Sequence, residues 1–265
     1  MTDVTAPVPP PADLVGRAAL VTGASRGIGY GIAAELLARG AAVTITGRKA
    51  PELDAAATEL GEAAGAPERV LAVPGNAGDG AHRAEAVRAT VERFGTIAIL
   101  VNNAGINPQY GPLVDADLDA VRKIFDVNVV AALGFVQEAY RAGMGSAGGA
   151  VVNVASLGGI RSTGVIGAYG ASKAALIRLT EELAGQLGPK IRVNAVAPAV
   201  IKTRFAEALY SHDEQGVADG YPMRRLGVPA DVASAVGFLV SDAASWITGD
   251  TIRIDGGTLA AGRHG

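Results

Sequence analysis

Three side chains in the second half of the chain have types and spacing suited to moving a proton. Ser156 directly follows a short apolar run, and Tyr169 and Lys173 come thirteen and seventeen residues later at the start of an Ala-rich helical pattern. Residues four apart share one face of a helix, so the ammonium of Lys173 sits beneath the phenol of Tyr169. A free phenol has a pKa of about 10, and a neighbouring cation favours its ionised form. Ser156 supplies a hydrogen bond for an oxygen on which charge develops. A lone Tyr-x-x-x-Lys is usually an exposed surface pair. It reads differently here because other loops must converge on the same place.

Those loops are rich in glycine and asparagine, and each follows an apolar run. The first run, Ala18 to Thr22, leads into Gly23, Ser25, Arg26, Gly27, Ile28 and Gly29 and then into a helical pattern. Glycine at a strand-to-helix turn lets the backbone approach a pyrophosphate, and the helix N-terminal amides carry the positive end that binds it. About 20 residues on, where a dinucleotide-binding chain places an acid for the ribose 2′-hydroxyl, stand Gly47, Arg48 and Lys49. A 2′-phosphate calls for cations, so Arg48, helped by Arg26, points to NADP(H) as cofactor. Asn76 and Ala77 follow the third run; the Asn76 amide suits an adenine edge. Asn103, Ala104 and Gly105 follow the fourth and form an expected floor for the adenosine half.

Short apolar runs near 18–22, 42–46, 70–73, 97–101, 150–154, 191–196 and 251–254 alternate with helical patterns near 27–39, 51–64, 80–94, 117–142 and 168–187, and with another starting at Pro229. Continuous apolar runs of this length read as strands buried on both faces. The alternation predicts an α/β fold, a doubly wound parallel sheet of Rossmann type with helices on both faces. Ligands then belong outside the carboxyl ends of the strands. Gly40, Gly65, Gly95 and Gly188 are the expected helix stops. The proline-rich residues 1–14 read as a flexible tail, and 15–265 as one dinucleotide-binding catalytic domain.

Composition narrows the field further. The 265 residues are 49% hydrophobic and 18% charged, with a net charge of −3, no cysteine and three scattered histidines. Disulfides, thiolate metal sites and a cysteine nucleophile are excluded, and a metal site and nucleic acid are not expected. No basic, apolar leader and no run of 18 apolar residues is present, so the expectation is a cytoplasmic protein without a membrane span.

Taken together, Thr22–Gly29, Asn102–Gly105, Ser156, Tyr169 and Lys173 resemble the short-chain dehydrogenase/reductase family, its small single-domain branch, from Arg17 to Gly257. The resemblance extends to 3-oxoacyl carrier-protein reductases and NADPH-dependent carbonyl reductases. It implies hydride transfer between NADP(H) and a small-molecule carbonyl or alcohol, a ketone or 3-oxoacyl group, in a homotetramer packed through the helices near 117–142 and 168–187. It also implies that Asn128 supports a water joining the lysine to solvent. Pro198, Ala199, Ile201 and Thr203 match the loop that contacts the nicotinamide. Two positions depart from the family pattern: Ala199 stands where glycine is usual, and Asn76 where aspartate is usual.

Substrate contacts are expected between Ala199 and Leu226, from Phe205, Leu209, Tyr210, Tyr221 and Met223. Arg224 and Arg225 suit the phosphates of an acyl carrier, but Arg225 is better read as a partner for a nearby acid that anchors the loop. Two other readings are an NAD-dependent alcohol dehydrogenase and a non-catalytic nucleotide-binding protein. The complete Asn128, Ser156, Tyr169 and Lys173 set argues against the second, because a binding protein needs no proton relay.

Overall fold

In the computed structural model, residues 12–262 are described. The strands are β1 (Ala18–Val21), β2 (Ala42–Gly47), β3 (Val70–Pro74), β4 (Ile97–Asn102), β5 (Gly149–Val154), β6 (Ile191–Pro198) and β7 (Thr251–Ile254). They form one parallel sheet in the order β3-β2-β1-β4-β5-β6-β7. Every expected strand is present, most extended by a residue or two at the carboxyl end. The chain order reverses between β1 and β4, so the loops leaving those two strands diverge there and open a crevice.

The helices are α1 (Gly27–Ala38), α2 (Ala50–Ala63), α3 (Gly80–Phe94), α4 (Leu118–Phe125), α5 (Ala131–Ala139), α6 (Gly145–Ala147), α7 (Gly167–Leu187), α8 (Glu214–Asp219) and α9 (Pro229–Val240). Alternate residues of β1 show how both sheet faces are covered. Ala19 and Val21 pack with Ile32 and Leu36 of α1, Leu53 of α2 and Val236 of α9. Leu20 packs on the other face with Val87 of α3, Phe135 of α5 and Leu183 of α7. Full burial of each such aliphatic side chain contributes roughly 1.5–3 kcal/mol, so the sheet is held from both sides. Among its polar side chains, Thr44 Oγ1 and Asn102 Oδ1 are buried without a partner among the described residues, while other polar atoms form a chain of hydrogen bonds. Asn102 Nδ2 donates to Asn153 Oδ1 at 2.9 Å, and Asn153 Nδ2 donates to Thr180 Oγ1 at 2.8 Å, tying β4, β5 and α7 together just below the site.

The structure corrects two expectations, the unbroken helix over 117–142 and the extent of the tail, and adds detail to others. The helix expected over 117–142 is interrupted by a π-helical turn at Asp126–Val130, and a second π-helical turn, Tyr140–Met144, contains Gly143 at φ 123°. A π-helical turn takes an extra residue per bond ring, which a hydrophobic period does not reveal. Gly188 does end α7, but with φ −64° rather than the left-handed conformation of Gly40, Gly65 and Gly95; Pro189 follows and cannot continue the helix. The connection over 199–226 folds a short helix, α8.

The expected tail, finally, lies outside the described residues except for its last three, and two of those belong to the fold. Leu14 is fully buried against the α1 side of the sheet. Asp13 accepts from Arg39 Nε at 2.8 Å and Nη2 at 2.5 Å. The Arg39 side chain is only 7% exposed, and this pair holds the Asp13 carboxyl below its usual range. Truncating Asp13 leaves the buried guanidinium with the longer Glu35 contact at 3.8 Å. Solvent reaches the Asp13 side, which is 34% exposed, so the cost falls below that of a fully buried pair. Asp13→Ala is therefore expected to lower stability by about 1–2 kcal/mol in urea unfolding, with no loss of cofactor binding; an unchanged midpoint would show that the segment before β1 adds nothing.

Candidate active site

The turn after β1 needs glycine for two separable reasons. Gly23 and Gly27 take φ of +65° and +61°, a region that side chains disfavour. An added Cβ on Gly23 would also lie 2.8 Å from Ala104 Cα, because the loops leaving β1 and β4 are packed together. Thr22 welds that contact: its Oγ1 accepts from the backbone amides of Asn103 and Ala104, both at 3.0 Å. Asn103 Nδ2 donates in return to the carbonyls of Thr22 and Gly23, both at 2.9 Å. The Asn103 side chain is thus a brace under the glycine turn rather than part of an open floor. Beyond the turn, α1 begins without any side-chain cap and with no acid in its first turn. Its N-terminal amides face a cavity of about 470 Å³.

Most of the expected cofactor residues line that one cavity: Gly23, Ser25, Arg26, Gly27 and Ile28 from the first turn, Arg48 after β2, Asn76 and Ala77 after β3, Asn103, Ala104 and Gly105 after β4, and Pro198, Ala199, Ile201 and Thr203 after β6. Three expected residues do not. Gly29 lies behind the turn, where a Cβ would meet Asn103 Nδ2 at 2.5 Å. Lys49 lies outside and bonds Glu52 at 2.8 Å. Asn128 is buried behind Gly105. Asn76 spends its Oδ1 on the Gly78 amide at 3.1 Å, within its own turn. Among the described residues lining the cavity there is no aspartate or glutamate, whereas Arg26, Arg48, Lys123, Arg161, Lys173 and Arg204 all reach it.

Ser156, Tyr169 and Lys173 meet at the other end of the same cavity. Ser156 follows β5, and its Oγ accepts from the Gly158 amide at 3.1 Å, capping a short turn. Tyr169 and Lys173 lie on the buried face of α7, with Lys173 Nζ 5.6 Å from the centre of the Tyr169 ring. Lys173 Nζ donates to the Val154 carbonyl at 2.7 Å, which anchors the ammonium beneath the end of β5. Burial pushes the Tyr169 phenol up to about 12, against the pull of a hydrogen bond with Ser156 and with a small added rise from Tyr110. Burial brings Lys173 down to about 8. The expected lowering of the phenol by the lysine is not found; burial of the phenol sets the direction of its shift.

Asn128 sits within the first π-helical turn. Its Oδ1 accepts from the Ile106 amide at 2.8 Å, and its Nδ2 donates to the Ile106 carbonyl and to Ser172 Oγ, both at 3.0 Å. One side chain therefore holds the loop after β4 against α7. A Cβ on Gly105 would lie 3.4 Å from Asn128 Oδ1 and 3.5 Å from Lys173 Nζ, so a small gap without a side chain separates the two.

Similarity to known proteins extends over most of the chain. Residues 23–258 match the family model described as Enoyl-(Acyl carrier protein) reductase. The chain is 37% identical over 245 residues to Tropinone reductase-like 3 of Erythroxylum coca, covering 92% of this chain and 93% of that protein. It is 38% identical over 249 residues to Dehydrogenase/reductase SDR family member 4 of Homo sapiens, covering 92% and 88%. The chain belongs to the short-chain dehydrogenase/reductase family.

Solved structures superpose closely on this chain. A putative short-chain alcohol dehydrogenase from Sinorhizobium meliloti 1021 matches with a TM-score of 0.87 at 38% identity, covering 95% of this chain and 99% of that one. A blue fluorescent protein from a metagenomic library, in complex with NADPH, matches with a TM-score of 0.84 at 33% identity, covering 93% and 99%. Among the described residues, no helix is long and apolar enough to cross a membrane.

Several residues lining the cavity were not legible in the sequence. The segment between Ser156 and Tyr169 contributes Leu157, Arg161, Thr163, Val165 and Ile166, and the loop after β4 contributes Asn107 and Tyr110. The signal available was position, since both segments adjoin expected site residues. Of the substrate residues expected over 199–226, Phe205, Leu209 and Tyr221 line the cavity, and the Phe205 ring lies 6.0 Å from that of Tyr169. Tyr210 and Met223 do not; Tyr210 OH instead donates to the Thr203 carbonyl, and Met223 is exposed. Arg225 pairs with Asp231 at 2.6 and 2.8 Å, as the loop-anchor reading holds. Arg224 donates to the Asp219 carbonyl.

The pKa of Lys173 makes stability depend on pH in a definite direction. Below pH 8 the lysine is charged in both folded and unfolded chains, and the folded state carries the whole cost of burying it. Between 8 and 10.5 the unfolded chain binds more protons, so this cost fades as pH rises. The stability of wild type minus that of Lys173→Met should therefore rise by about 3 kcal/mol from pH 7.5 to 10.5 in denaturant titrations. A difference that stays flat with pH would mean that Lys173 is solvated.

Proposed function

We propose that the chain is an NADP-dependent carbonyl reductase, transferring hydride between NADP(H) and a ketone or 3-oxoacyl substrate and its alcohol, with Ser156, Tyr169 and Lys173 as the catalytic residues. The observation that carries this reading is their convergence, in one cavity, with an uncapped helix N-terminus and a lining that, among the described residues, includes several cations and no carboxylate. The residues present fit a dinucleotide. The α1 amides and the glycine turn suit a pyrophosphate, Arg48 and Arg26 a 2′-phosphate, and Asn76, Ala77, Ala104 and Gly105 leave room for the adenosine half. Lys173 would hold the nicotinamide ribose, and Pro198, Ala199, Ile201 and Thr203 the nicotinamide itself.

A bound nicotinamide supplies or accepts the hydride at its C4. The protein's own part is proton management and orientation. With its pKa at about 12, the Tyr169 hydroxyl keeps its proton at neutral pH and donates it to the carbonyl oxygen during reduction. Ser156 donates a second hydrogen bond to that oxygen and stabilises the charge developing on it. Lys173 remains largely protonated at pH 7, donates to the Val154 carbonyl, lies beside the Tyr169 ring and would also hold the ribose of a bound cofactor. Asn128 positions α7 through Ser172, and the gap beside Gly105 is a natural seat for a water passing protons from Lys173 outward. The same reading takes the chain to be one catalytic unit that assembles as a homotetramer in the cytoplasm. Exposed Leu118, Val130 and Tyr140 along the 117–142 segment support the assembly.

Two measurements test this reading. Tyr169→Phe removes one hydroxyl, so the turnover number should fall by roughly 10²- to 10⁴-fold or more on any good ketone substrate, while NADPH affinity by fluorescence titration stays nearly constant. Retention of more than about a tenth of the activity would require a different acid. For the cofactor, NADPH should bind at least about tenfold more tightly than NADH, a modest 1.4 kcal/mol, and Arg48→Asp should erase or reverse that preference. Equal affinities in the wild type would remove the NADP assignment.

A further inference from the structure

The cations gathered for the 2′-phosphate are already partly engaged by one carboxylate. Glu52, in the first turn of α2, accepts from Arg26 Nη1 at 2.8 Å and from Lys49 Nζ at 2.8 Å. Arg204, from the loop after β6, also lies close enough to help hold the Glu52 carboxyl below its usual range, after the larger effect of Lys49. Three loops thus point cations at one acid: the glycine turn, the end of β2 and the segment that covers the cavity. Arg48 stands beside them at the rim, lines the cavity and makes no ion pair among the described residues. Glu52 itself stays outside the cavity lining and half-exposed, 39% for its side chain.

We infer that Glu52 is the specificity-determining counter-anion of the 2′-phosphate subsite: it holds Arg26 and Lys49 when no phosphate is bound, and a 2′-phosphate must compete with it for them. This deepens the NADP reading and rests on it. A first-turn acid also favours a helix through its dipole, and Lys49 lies three residues away on the same helix end. Neither effect accounts for Arg26, which comes from a different loop 26 residues earlier and lines the cofactor cavity. Like charges near a common pair of cations repel, so Glu52 lowers affinity for a phosphorylated ribose and leaves a plain ribose nearly untouched. The acid sought at the end of β2 is therefore present near the subsite after all, carried on α2 and directed at the cations rather than standing in their place.

The test uses adenosine 2′,5′-bisphosphate and 5′-AMP, which differ only in the 2′-phosphate, titrated calorimetrically into the full-length wild type, Glu52→Gln and Glu52→Asp. Glu52→Gln should bind the bisphosphate about fivefold or more tightly than wild type while AMP affinity changes less than twofold. Glu52→Asp keeps the charge at the helix end but shortens its reach, so it should show a smaller gain in the same direction. If Glu52→Gln binds the bisphosphate no better, or gains equally for both nucleotides, the inference is overturned. A purely helical role would lower the melting temperature without moving the ratio. Failure of the underlying NADP reading shows separately, as wild type binding the two nucleotides equally. In that case a gain confined to the bisphosphate in Glu52→Gln still supports the competition, and its absence overturns it.

Discussion

Keeping the Lys173 ammonium and the Tyr169 phenol together out of water is the constraint from which the rest of this structure follows. Lowering the lysine from 10.5 to about 8 costs about 3 kcal/mol at neutral pH, a large share of the stability of an ordinary domain. The fold offsets that cost with a carbonyl at the end of β5 and with a helix packed on the sheet through Leu183 and Thr180. Neither would serve if β5 and α7 could slide. The chain of Asn102, Asn153 and Thr180 fixes their relative height through hydrogen bonds buried inside the apolar layers.

The cofactor half obeys a second constraint, that two loops diverging from β1 and β4 must stay in contact. A single hydroxyl, Thr22, and a single amide, Asn103, carry five hydrogen-bonding roles between them across that seam. Glycine at position 23 is required by this seam as much as by any ligand. The site is thus held by polar groups with fixed partners, while its lining toward the substrate is supplied by aliphatic and aromatic side chains with few such ties.

How much of this could be read from sequence follows from where each signal originates. The strands were plain because both sheet faces are covered, which makes their apolar runs continuous, and the site loops were plain because parallel strands send every ligand-facing loop to one edge. Leu14 and Asp13 were missed because the prolines before them suggested a tail, and only the fold reveals that Arg39 waits for a carboxylate. The substrate-side residues between Leu157 and Ile166 were missed because a loop has no periodicity to mark it. The direction of the Tyr169 shift was misjudged for a different reason: adjacency on a helix is visible in spacing, but the depth of burial that outweighs it is a property of the packed molecule.

The π-helical turn at Asp126–Val130 does more than aim Asn128. It decouples the winding phase of α4 from that of α5, so the stripe that meets Val87 and Leu20 through Phe135 need not be continuous with the stripe that meets the site. The two halves of one long helical segment can therefore drift in composition under separate demands, one set by the cofactor edge and the other by the sheet. A strictly α-helical segment would bind them to a common register, and every change that improved one would rotate the other.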